Sequence, residues 1–178
     1  MSISENVTTY LKELAAGNCF GEPVTLVAAT KTRTADEINE AIAAGITDIG
    51  ENKVQEFRDK YDLVHGGNRH FIGHLQTNKV KYLIGKTYLI HSLDRDELAE
   101  ELSRRSVRAN VTTDVLIEVN AGSELSKSGY SPETAFAAYE RLRAVPGIRV
   151  RGFMAMLPDS DDTALLASLA DEMRALYD

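Results

Sequence analysis

"VTLVAATKTRTADEI", from Val24 to Ile38, is the stretch on which the fold class turns. Val24, Leu26, Val27, Ala28 and Ala29 form an almost unbroken apolar run, the pattern of a strand that a parallel sheet buries on both faces and keeps from water. Lys31, Thr32, Arg33 and Thr34 follow as a short polar tract, and Thr34 and Glu37 have the S/T-x-x-E spacing of a capping box, so a helix starts there. Strand, tight connection and helix in immediate succession make the repeating unit of an α/β fold. A short turn of this kind needs nothing longer than Ser or Asp. A lysine at the exit of a buried strand therefore asks for another explanation.

Outward from this stretch the same unit recurs. After an opening helix around Asn6 to Ala16, apolar or β-branched runs appear at Val24 to Thr30, Ile46 to Ile49, His70 to Ile72, Thr87 to Ile90, Val111 to Val119 and Ile148 to Met154, each followed by a helical pattern. Asp94 and Glu97 make a second capping pattern, and Ser131 and Pro132 suit N-cap and N1 positions ahead of "ETAFAAYERLR". Gly45 closes the helix after the first strand in a left-handed position, and the acidic "DSDD" at Asp159 to Asp162 caps the last helix. Six βα units fit either an open doubly wound sheet or a (β/α)8 barrel, and periodicity does not choose between them. No G-x-G-x-x-G follows the first strand, which argues against dinucleotide binding. With no linker or composition break, residues 1–178 read as one domain.

Composition narrows the function. Hydrophobic residues at 43% and charged ones at 26% are ordinary globular values, and 20 Lys+Arg against 27 Asp+Glu leave a net charge of −7, which argues against general affinity for nucleic acid or anionic membrane. The single Cys19 excludes an internal disulfide framework, suits a reducing compartment and reads as a half-buried structural thiol. "MSISENVTTYLKEL" has no apolar signal core and no run is long enough to span a bilayer, so a cytoplasmic protein is expected.

In either architecture the ligand site lies beyond the carboxyl ends of the strands. Polar residues that emerge there are Lys31; Glu51 and Asn52 in "GEN"; His74, Gln76 and Asn78 in "GHLQTNK"; His91, Ser92 and Asp94 in "HSLD"; Glu118 and Asn120; and then a loop, "AGSELSKSGYSP". Each has a plainer reading. Asn52, Asn78 and Asp94 suit helix caps, Met154 and Met156 suit core filling, and "KSG" suits a turn, although Lys127 and the amides beside it could also hold an anion. His70 and His74 sit where strand passes into loop and need not share a face, so a metal pair is not expected. Metal-ligating carboxylates are sparse, no Ser/His/Asp or Cys/His arrangement stands out, and Lys31 is left as the distinctive reactive group. A lysine at the rim of an apolar site is a nucleophile toward aldehydes, so Schiff-base chemistry is the expectation.

Six segments stand in chain order and belong to a match that extends over nearly the whole chain: "LVAATKT" (Leu26 to Thr32), "DIGENKVQEF" (Asp48 to Phe57), "HFIGHLQTNKVKYLI" (His70 to Ile84), "IHSLDR" (Ile90 to Arg95), "VLIEVNAGSELSKSGYSPE" (Val115 to Glu133) and "RGFMAMLP" (Arg151 to Pro158). Together they resemble the pyridoxal phosphate homeostasis proteins, "HFIGHLQTNK" and "IHSLDR" being the most specific. The resemblance implies a (β/α)8 TIM barrel of the alanine racemase N-terminal type, here about six βα units without the last two strands, which in the family grip the cofactor phosphate. It implies pyridoxal 5′-phosphate (PLP) as cofactor, held as a Schiff base on Lys31, with Asn52, His74, Ser92 and Met154 around it and no catalytic or metal residues. It further implies a carrier or regulator of intracellular PLP, with PLP-dependent apoenzymes as recipients and a monomer as the complete family fold. Three rivals stand beside this expectation. One is a PLP-dependent racemase or decarboxylase, which needs a second acid or base opposite the lysine; the others are a lysine-dependent aldolase and a barrel fragment that binds nothing.

Overall fold

The computed structural model describes residues 2–122 and 128–178, and the chain divides into two compact units, one ending at Ile72 and the other beginning at Gly73. The first unit runs α1 (Ile3–Leu14), β1 (Val27–Ala29), α2 (Ala35–Ala43), β2 (Asp48–Glu51), α3 (Val54–Lys60) and β3 (Asn68–Phe71). Helix α1 begins earlier than the apolar periodicity suggests. Ser2 and Glu5 form a capping box, the Ser2 N–H donating to the Glu5 carboxylate at 2.7 Å and the Glu5 N–H to Ser2 Oγ at 3.2 Å. The expected box at Thr34 and Glu37 opens α2, with Glu37 N–H to Thr34 Oγ1 at 3.2 Å and Thr34 N–H to Glu37 at 2.7 Å. Gly45 ends that helix at φ 117° and donates its N–H to Ile42 O at 3.0 Å.

Strands β1, β2 and β3 pair in parallel, Ala29 opposite Gly50 and Gly50 opposite His70. Strand β2 has a neighbour on each side and is buried along its whole length. Strand β1 corrects the sequence reading: it is three residues long and half-buried to exposed, and Val24 lies outside it at 41% exposure. Among the described residues of its unit it pairs only with β2, so one edge lacks the cover that a strand buried on both faces needs. The unit's core is Val7, Ile38, Ile46, Ile49 and Val64, with Leu11, Leu26 and Ile42 packed against it. Full burial of aliphatic side chains of this size contributes roughly 1.5–3 kcal/mol each.

The second unit runs from a 3₁₀ helix (Thr77–Tyr82) through β4 (Leu89–Leu93), α4 (Asp96–Arg108), β5 (Thr113–Val119), α5 (Pro132–Leu142) and β6 (Ile148–Ala155) to α6 (Thr163–Tyr177). The 3₁₀ helix stands where a further α-helix was expected. Val80 and Leu83, three apart, are both fully buried, a spacing that stacks side chains in a 3₁₀ turn, and the segment is too short to nucleate a stable α-helix. Strands β4, β5 and β6 pair in parallel, Ile90 opposite Val115 and Thr113 opposite Ile148. Along β5, Thr113, Val115, Ile117 and Val119 are buried while Asp114, Leu116 and Glu118 are half-buried. Helix α4 turns Leu98, Ala99, Leu102 and Ser106 inward, and α5 turns Ala135, Ala138 and Leu142. Ser131 and Pro132 start α5 as expected, and Asp162 caps α6 by accepting the N–H groups of Ala164 and Leu165 at 3.0 Å. Met156 lies past the end of β6 at 63% exposure and not in the core that the sequence suggested, and Cys19 is exposed where a half-buried thiol was expected. Lys127 lies outside the described residues. Among the described residues no helix is long and apolar enough to cross a membrane, and no group of three or more His, Cys, Asp or Glu is arranged to hold a metal ion.

Candidate functional site

Lys31 stands two residues beyond Ala29, the last residue of β1, and is exposed. Its backbone is bound on both sides. Thr30 is buried, its N–H and its hydroxyl both reaching Gly50 O, at 2.9 and 3.0 Å, and the hydroxyl also reaching Glu51 Oε1 at 2.8 Å. Arg33 N–H returns to Thr30 O at 3.1 Å, closing a four-residue turn with Lys31 and Thr32 in the middle. Thr32 has φ 63°, a left-handed conformation that is rare for a β-branched residue and costs about 1–3 kcal/mol. Its N–H donates to Glu56 Oε2 at 2.8 Å.

Beneath the turn lies a compact ionic network. Lys60, the last residue of α3, donates to Thr30 O at 2.9 Å, Glu51 Oε1 at 2.7 Å and Glu56 Oε2 at 2.9 Å. The Lys60 and Glu51 side chains are only 16% and 8% exposed. Burial works against the Lys60 charge, but hydrogen bonds to Glu51 and Glu56 and their charges outweigh it and hold the ammonium above the usual lysine range. The hydrogen bond from Lys60, followed by that from the Thr32 amide, lowers the Glu56 carboxyl. The Lys60–Glu56 pair has the i,i+4 spacing of a helix ion pair, but nothing local announces its reach to Thr30, 30 positions away.

Asn52 follows β2. Because Ala29 and Gly50 are in register, Lys31 and Asn52 leave neighbouring strands at the same level. Helix α3 takes Lys53, not Asn52, as its N-cap, so the capping explanation for Asn52 falls. Among the described residues Asn52 Oδ1 is buried with no hydrogen-bond partner.

In the second unit Ser92 lies within β4, 1% exposed, and its Oγ is likewise buried and unpartnered among the described residues. His74, half-exposed, has Nδ1 3.2 Å from Asp94 Oδ2. Asp94 was expected to cap α4, yet Arg95 occupies the N-cap, and the Asp94 carboxylate is shared between His74 and the Arg95 guanidinium, whose other nitrogen donates to Leu75 O at 3.0 Å. Met154, half-buried on β6, is in register with Glu118 on β5. Burial raises the Glu118 carboxyl above its usual range; the Asp94 charge adds to this and His74 opposes it. Lys31 and Asn52 thus belong to the first unit and His74, Ser92 and Met154 to the second, and within the second unit Asp94 and Glu118 join His74 in one electrostatic group.

The model of the family "Alanine racemase, N-terminal domain" matches residues 9–177. A pyridoxal phosphate homeostasis protein from Aquifex aeolicus is 42% identical over 155 residues, 86% of this chain and 68% of that protein. The chain belongs to the pyridoxal phosphate homeostasis protein family. PipY of Synechococcus elongatus, solved with PLP bound, superposes with a TM-score of 0.85 at 27% identity over 99% of this chain and 80% of its own. Alanine racemase of Corynebacterium glutamicum, 18% identical, shares the fold at a TM-score of 0.78 over 98% of this chain and 48% of its own. The expected fold class therefore stands, an α/β fold of the TIM-barrel type found in alanine racemase N-terminal domains. Each unit thus holds a buried side-chain oxygen left unpaired among the described residues, Asn52 Oδ1 in the first and Ser92 Oγ in the second, where buried polar atoms are otherwise paired.

Proposed function

We propose that this chain is a PLP-binding protein of intracellular PLP homeostasis, holding the cofactor as a Schiff base on Lys31. The observation that carries the reading is Lys31 itself, exposed beyond β1 on a turn bonded on both sides, level with Asn52 and its unpartnered buried oxygen. Bound PLP supplies an aldehyde that condenses with an amine. The rest falls to the chain's residues: Lys31 presents the amine, Asn52 and Ser92 offer hydrogen bonds, and Met154 gives an apolar, polarizable contact. Asp94 orients the His74 ring through Nδ1, which leaves Nε2 for the ligand. On this reading the 178 residues act as one PLP-binding domain of a cytoplasmic carrier, with PLP-dependent apoenzymes as recipients and no nucleic acid or membrane among its partners.

Incubation with PLP, borohydride reduction and peptide mass mapping tests the assignment. The pyridoxyl group is expected on Lys31, and Lys31→Ala is expected to abolish the specific absorbance. Predominant labelling of other lysines refutes it.

A further inference from the structure

We infer that Lys60 is a positioning residue for Lys31: its ammonium holds the carbonyl on one side of that lysine and, through Glu56, the amide on the other, fixing a turn whose third residue is a left-handed threonine. The inference rests on the proposed role of Lys31. A lysine at the end of a helix ordinarily extends into solvent and complements the helix dipole. Lys60 instead folds inward and spends its three N–H groups on Thr30 O, Glu51 and Glu56. Ordering so long a side chain costs rotamer entropy that an exposed ion pair does not recover, so the arrangement requires a buried, fully bonded ammonium such as this one.

The bonds at risk are specific. Without Lys60, Thr30 O keeps the Arg33 amide and Glu51 Oε1 keeps the Thr30 hydroxyl, so the attachment of β1 to β2 persists. Glu56 loses its close cation and, among the described residues, keeps Lys53 at 3.9 Å, an exposed side chain that draws it outward and away from the Thr32 amide. Thr32 is then free to leave the left-handed region, and the Lys31 side chain turns with it. A glycine at position 32 occupies that region without strain and has no need of the brace.

The experiment uses the full chain and compares wild type, Lys60→Met, Glu56→Ala, and each variant with Thr32→Gly added. Glu56→Ala leaves the Lys60–Glu51 pair intact and serves if Lys60→Met does not unfold cooperatively. Two quantities are read, hydrogen exchange at the amide of residue 32 without cofactor, and the rate of borohydride-trapped PLP attachment at Lys31. Both single variants are expected to speed exchange and to slow attachment by about ten- to a hundredfold, the upper end being what a misplacement of about 1 Å costs, and Thr32→Gly is expected to recover most of the rate. A cooperatively folded Lys60→Met or Glu56→Ala chain with the wild-type rate at Lys31, or a loss that Thr32→Gly does not recover, overturns the inference. If wild type forms no adduct at Lys31 the proposed function fails, and exchange alone decides the brace: faster exchange in the variants supports it and unchanged exchange overturns it.

Discussion

Asn52, just after β2, and Ser92, within β4, present one chemical situation, a buried oxygen with no protein partner among the described residues. An unsatisfied buried polar atom destabilises a fold by roughly 1–3 kcal/mol, so Ser92→Ala is expected to leave the ligand-free chain as stable as wild type or slightly more so. The same substitution is expected to weaken PLP binding by about 0.5–1.5 kcal/mol, the net contribution of a hydrogen bond. Thermal unfolding without cofactor and a spectroscopic PLP titration separate the two effects. A clear loss of stability with unchanged PLP affinity would give the hydroxyl a structural role instead. At this scale the sequence was legible where chemistry is local. Lys31 stands out because strand, turn and helix fall within a few residues, and the family resemblance singled out Ser92. The partners of these residues did not stand out: Lys60 meets Thr30 across 30 positions, and Asp94 fits a helix cap by spacing until His74 and Arg95 are seen to share it.

Among the elements, helix starts carry local signals and strand edges do not. The Thr34–Glu37 box and the Ser131–Pro132 start stand where spacing puts them, because a cap is satisfied by its own next turn. Thr34→Ala is expected to destabilise the chain by about 1 kcal/mol in urea unfolding; no change would mean that α2 is held by packing alone. The length and burial of β1 depend on neighbours, which is why an apolar run promised a longer, drier strand than the one formed. Strand β2 carries a pH-dependent anchor at its start. Burial alone would raise the Asp48 carboxyl, but hydrogen bonds from Thr47, His70 and Asn68 outweigh it and bring it below its ordinary value. A lowered folded-state pKa stabilises the protein above the unfolded value, and that stability is lost as pH falls through the folded one. Wild type is therefore expected to lose stability as pH drops below about 4. Asp48→Asn, less stable at neutral pH, should show a shallower acid limb, and parallel limbs in the two proteins would sink the assignment.

For the whole molecule the question is whether the site catalyses or only carries. Racemisation of an amino acid moves a proton from one face of a flat cofactor to the other, and it needs two groups poised to exchange protons near neutral pH. Lys31 can serve as one. Tyr130, an obvious phenol near the strand ends of the second unit, is engaged elsewhere: its hydroxyl donates to Asp96 Oδ1 at 2.6 Å. Burial first and that hydrogen bond second push its pKa upward, which holds it as a protonated donor. Burial, with the Asp94 charge adding to it and His74 opposing, raises the Glu118 carboxyl, and no observation places that carboxyl against the carbon that would give up a proton. Relatives carry the name of homeostasis proteins, in keeping with a non-catalytic role. Long incubation of the PLP-loaded chain with L-alanine or L-serine, followed by chiral analysis, is therefore expected to show no conversion beyond that given by free PLP at the same concentration. Glu118→Gln is expected to change nothing in that assay, since the carboxyl is assigned no proton transfer. Racemisation that exceeds free PLP and disappears with Lys31→Ala would make the protein an enzyme, and its loss in Glu118→Gln as well would identify the second group.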